Sequence, residues 1–90
     1  MNARRVDRIR VLLERALEPE SLEVVDDSHK HVGHAGAEGG LGHFSVSIVS
    51  AHFNGMKMLA RHRAVYAALD DMMKTDIHAL AIEAIASDEL

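Results

Sequence analysis

Two stretches that read as β-strands, His43–Ser50 and Ile77–Ile85, are separated by a helical run from Met58 to Met73, and that spacing constrains the fold more than any other feature. In the first strand Phe44, Val46 and Ile48 alternate with Ser45 and Ser47, the period-two pattern of a strand with one buried face. Between the strands, Met58, Leu59, Val65, Tyr66, Leu69, Met72 and Met73 recur at three- and four-residue intervals, the stripe of an amphipathic helix. Strands joined through a whole helix have the connection length that a right-handed parallel crossover needs.

His62 falls on the helical stripe where an aliphatic residue would complete it, with Arg61 and Arg63 about 100° to either side on its flanks. Spacing alone leaves two readings. One is a core histidine whose ring nitrogens meet backbone carbonyls or a buried water. The other is a helix packed beside a site that uses further histidines.

The first half of the chain supplies the remaining elements. Val6, Ile9, Leu12, Leu13, Ala16 and Leu17 form a stripe over a helix from Ala3 to Leu17, and Pro19 ends it. Ser21–Asp26 reads as a short strand, Leu22 and Val24 alternating with Glu23. The stretch Ser28–Gly42 holds five of the six glycines and reads as a long exposed loop, so the two strands flanking it pair antiparallel. Phe53-Asn54-Gly55 turns the chain into the central helix, and Lys74-Thr75-Asp76 ends that helix. The expected architecture is a single α+β domain over residues 1–90, in the order α-β-β-α-β, with a mixed three-stranded sheet and both helices on one face.

Composition narrows the function. The net charge is −4 with histidines neutral, which argues against holding nucleic acid by bulk charge, although Arg4, Arg5, Arg8, Arg10 and Arg15 crowd the first helix. No apolar run reaches the ~20 residues that span a bilayer, and the polar N-terminus does not read as a signal peptide. There is no cysteine, hence no disulfide or thiol chemistry, and a cytoplasmic setting is expected. Phosphate-loop, nucleophile-elbow and His-Glu-x-x-His patterns are all missing, so the expectation is a binding protein and not an enzyme.

The chemical signal lies in the seven histidines. His29, His31 and His34 stand within six residues on the glycine-rich loop, a spacing that suits a borderline metal ion but equally a polar loop that binds metal only adventitiously. His78 opens the last strand, either as a hydrogen-bonding end residue or as a neighbour of the loop histidines on one rim of the sheet.

Four segments, Ser28-His29-Lys30-His31, Val46-Ser47-Ile48-Val49-Ser50 with Phe53-x-Gly55 behind it, Arg61-His62-Arg63-x-Val65-Tyr66 and Ile77-His78-Ala79-Leu80-Ala81, resemble the BolA family in order and spacing. The resemblance implies a fold like a class II KH domain. It also implies partnership with a monothiol glutaredoxin, the two proteins sharing a [2Fe-2S] cluster with glutathione in iron–sulfur trafficking or iron and redox sensing. By motif position the ligands carried over are His31 from the loop and His78 from the last strand, with His34 and His29 as further loop candidates. His62, Arg61 and Arg63 then become residues behind the site or structural ones. The implied states are a folded monomer when apo and a heterodimer with glutaredoxin. The family's other implied role is a KH-like regulator of transcription in stress response and morphology, with weak DNA binding.

Overall fold

A computed structural model describes residues 2–27 and 42–90. Helix α1 (Asn2–Leu17) leads into strand β1 (Ser21–Asp26), and strand β2 (Gly42–Ser50) runs back beside it. A 3-10 turn (Ala51–Phe53) connects to helix α2 (Met58–Leu69), followed by a short helix α3 (Met72–Thr75), strand β3 (Ile77–Ala86) and a last 3-10 turn (Ser87–Glu89). The sheet order is β1-β2-β3, β1 antiparallel to β2 and β3 parallel to it. This is the expected α+β architecture.

Alternation decides which face of the sheet the helices cover. Phe44, Val46, Ile48 and Ser50 of β2 are buried, whereas Ser45, Ser47 and Val49 between them are only half-buried. Ile9, Leu13 and Leu17 of α1 pack into the same core as Phe44, Val46 and Ile48, joined by Phe53, Val65, Leu69 and Met72. Ala16, counted on the stripe of α1, is exposed. The opposite face of the sheet is open, with Glu23 and Val25 on β1 and Ala79, Ala81 and Glu83 on β3 exposed.

Polar groups fasten the joints. Glu18 takes φ 43 and Pro19 follows, which stops α1, and the buried Ser50 hydroxyl donates to Leu17 O at 2.6 Å. Gly55, at φ 79, makes the turn toward α2 in a conformation that disfavours side chains.

The central helix departs from its expected form in two ways. It breaks at Asp70, whose φ is 24, so Met58–Met73 is two helices and not one. Two consecutive acids at Asp70 and Asp71 oppose the negative C-terminal end of a helix dipole, a reason for the break. Its buried face also carries Arg61, Val65 and Leu69, while Met58, Leu59 and Tyr66 are 53%, 63% and 40% exposed. His62 is therefore not the core residue that the stripe suggested: it lies half-buried beside the packed face, and Arg61 occupies that face.

Arg61 can be buried because all three of its side-chain nitrogens donate hydrogen bonds. Its Nε donates to Met56 O at 2.9 Å and Nη1 to Ala84 O at 3.1 Å, while Nη1 and Nη2 meet the two carboxylate oxygens of Glu89 at 2.7 and 3.0 Å. Glu89 Oε1 also accepts the Ala86 N–H at 2.8 Å. A bidentate guanidinium–carboxylate pair with added backbone bonds is the arrangement in which burying an arginine is tolerated.

Candidate functional site

His78 lies where the register of β3 against β2 is irregular. Gly42 stands opposite Ile77 and His43 opposite Ala79, so His78 is an extra residue between two paired ones. An extra residue of this kind re-aims a side chain. Ile77 is buried and Ala79 exposed, and His78 is itself exposed with its ring centroid 5.0 Å from that of His43, the planes tilted by 53°. His43 is only 8% exposed.

The backbone around this pair is held from several sides. Asp27 N donates to His43 O at 2.7 Å, and the Ser45 hydroxyl donates to the Asp27 carboxylate. Gly42 N donates to Asp76 O at 2.9 Å, tying the start of β2 to the residue before β3. The Asp76 carboxylate receives Arg5 Nε at 3.3 Å and Arg8 Nη1 at 3.1 Å, so α1 braces the same junction. Beside the histidines, Asp27, Ser45, Ala79 and Ala81 border a shallow groove of about 290 Å³ on the open face.

The sequence candidates distribute as follows. His78 is in the site with His43. His29, His31 and His34 lie outside the described residues, whose boundaries at that stretch are Asp27 and Gly42, both next to the His43–His78 pair along the chain or the sheet. His62 is half-buried and Arg63 exposed on α2. Arg61 bonds Ala84, six residues along β3 from His78, a span of about 20 Å at strand rise, and its role there is structural. Its hydrogen bond holds the Glu89 carboxyl down at about 2, with the Ala86 N–H assisting, and Glu89 in turn raises Arg61.

Sequence reading missed His43 as a site residue. The alternation of β2 does place it on the side of Ser45 and Ser47, away from the core, so its face was legible. Its contact with His78 depends on the extra residue in β3, which no local pattern announces. The two imidazoles stand in ring contact, and His78 is the one that lies at the surface. Among the described residues no three His, Asp or Glu side chains converge as a metal-binding set.

Comparison with known proteins identifies the chain's relatives. Residues 13–89 match the family model described as BolA-like protein. SufE-like protein 1 of Arabidopsis thaliana, named as chloroplastic/mitochondrial, is 45% identical over 82 residues, covering 86% of this chain but 22% of that protein. The Escherichia coli protein named DNA-binding transcriptional regulator BolA is 43% identical over 76 residues, covering 84% of this chain and 70% of that one. Among solved structures, the BolA domain of SufE1 from Arabidopsis thaliana superposes with a TM-score of 0.84 at 43% identity, covering 96% of this chain and 95% of that domain.

Proposed function

The chain belongs to the BolA-like protein family, and from that premise we propose that it is the partner of a monothiol glutaredoxin, the two holding a [2Fe-2S] cluster between them. The observation that carries the proposal is the His43–His78 pair at the rim of the sheet. His78 is exposed to an incoming protein, and both ends of the histidine-bearing stretch, Asp27 and Gly42, adjoin it.

The donor set fits the group. A bridged cluster takes four protein or thiol ligands, and in a chain without cysteine imidazole can stand in place of thiolate. His78 and one loop histidine, His31 by motif position with His34 and His29 behind it, would leave two thiolate positions for the glutaredoxin and its glutathione. Bound there, the cluster would supply one-electron redox chemistry, at a higher potential than an all-thiolate one because neutral imidazole adds no charge. What the chain itself does is position. The contact with His43 restricts where the His78 ring can lie, and the Asp76 bonds fix the strand beneath it. The protein acts as a binding module and not an enzyme. Its cytoplasmic setting belongs to this proposal, since the name of one relative places that protein in organelles.

The test is to mix the chain with a cluster-loaded monothiol glutaredoxin and follow visible absorption and circular dichroism. The proposal expects a new spectrum that saturates at equimolar chain. A spectrum identical to that of the glutaredoxin alone would refute it.

A second reading, transcriptional regulation, is favoured by likeness to the Escherichia coli relative, which is named as a DNA-binding transcriptional regulator. The structure weakens its electrostatic basis. Of the arginines crowding α1, Arg5 and Arg8 are paired with Asp76, and Arg10 donates to Leu22 O at 3.3 Å, so they are already engaged.

A further inference from the structure

We propose that the outer edge of β3, between Ala79 and Glu83, is a self-pairing edge on which a second copy of this chain docks antiparallel, centred on Ala81. The observation is a gap in the protection of that edge. In a strand, the N–H and C=O of a residue point to one side, and successive residues alternate. Ala84 O is taken by Arg61 and Ala86 N–H by Glu89, so both residues face away from β2. Alternation then turns the backbone groups of Leu80 and Ile82 outward as well. No hydrogen bond to a described residue reaches them.

The two edges of the sheet are treated differently. On β1, Arg10 covers Leu22 O, Pro19 precedes the strand and the acids Glu23 and Asp26 interrupt it. On β3, the Arg61–Glu89 pair covers only the C-terminal end. The stretch Ala79–Glu83 contains no lysine or proline and one charge, Glu83, the features that normally blunt an edge being largely missing.

The shape of the gap selects a second copy as its occupant. It is bounded by the irregularity at His78 on one side and by the Arg61–Glu89 pair on the other, and Ala81 is its midpoint. A two-fold axis through Ala81 pairs Leu80 of one copy with Ile82 of the other, both with outward backbone groups, and so fills the gap from both sides. Glu83 then faces Ala79 and no two carboxylates are opposed. Ala81 faces Ala81 in a non-hydrogen-bonded pair, where Cα atoms come within about 4.5 Å and small side chains are favoured. The symmetry is of the self-complementary kind usual in dimers. So short a pairing buries less than a stable dimer needs, so the chain is monomeric when dilute and pairs on concentration. The inference does not depend on the cluster proposal.

Sedimentation velocity across micromolar to millimolar chain, with and without substitutions at the exposed Ala81, tests it. The wild type should show concentration-dependent dimerisation. A81E and A81K should each raise the dissociation constant about tenfold by setting like charges opposite each other, and an equimolar mixture of the two should restore pairing. Because the chain has no cysteine, A81C introduces a single thiol; oxidation should give a covalent dimer, since the expected Cα separation lies within the roughly 4.4–6.8 Å a disulfide spans. A67C, on the exposed side of α2, should cross-link far less. Monomer at every concentration, or a dimer unmoved by both A81E and A81K, would overturn the inference, as would equal cross-linking of A81C and A67C.

Discussion

Arg61 on the first turn of α2 and Glu89 in the last turn of the chain form a bidentate ion pair, 2.7 and 3.0 Å on its two arms. The arginine side chain is 8% exposed, and it joins α2, the end of β3 and the C-terminal turn through one guanidinium. An arginine in the Arg-His-Arg segment is thus part of the frame, on the helix face that the apolar pattern had given to its neighbour.

This pair makes stability acid-dependent in a defined window. The Glu89 carboxyl is lowered from 4.5 to about 2, chiefly by Arg61. A group lowered on folding stabilises fully above its unfolded value, and that contribution fades as pH falls from about 4.5 through about 2. Urea midpoints measured across that range should fall less steeply for E89Q than for the wild type. R61M should lower the midpoint more than R63M, since Arg63 is exposed.

The rotated face of α2 can be checked by truncation. L69A removes a side chain that is 1% exposed and should cost about 2–5 kcal/mol, whereas L59A, at a site 63% exposed, should change stability by no more than about 0.5 kcal/mol. His62 is half-buried, so H62A should cost under about 1 kcal/mol. A cost for H62A near that of L69A would restore the core-histidine reading.

Folding should not need metal. Ile9, Leu13, Phe44, Ile48, Phe53 and Val65 form a continuous core without any ligand. A strong chelator should leave the far-ultraviolet circular dichroism and the melting temperature unchanged.

DNA binding, if measured, should be weak and should vanish steeply with salt, because exposed basic groups such as Arg4 and Arg15 offer only non-specific contacts. Site-specific footprints persisting at physiological salt would reverse the order of the two functional readings.

The strands, their pairing and the two packed helices were legible in the sequence because alternation in Phe44–Ile48 and the stripe of Ile9, Leu13 and Leu17 are local signals. The true face of α2 was not, because the residue that makes Arg61 a core residue, Glu89, lies far along the chain and no periodicity records the pairing. His78 stood out at a strand opening, and the family resemblance marked it. Its neighbour His43 did not stand out, since their contact comes from one extra residue in β3. Asp76 looked like a helix-ending residue, and its role in receiving Arg5 and Arg8 from α1 is again a long-range one.

The central claim is that His78 is a cluster ligand, and H78A tests it most directly. His78 is exposed at the rim and outside the core, so the variant should keep the wild-type far-ultraviolet spectrum and melting temperature. Mixed with cluster-loaded monothiol glutaredoxin, it should fail to produce the visible absorption and circular dichroism of the heterodimer, whereas H62A should still produce it. A folded H78A that gives the full wild-type heterodimer spectrum would contradict the account.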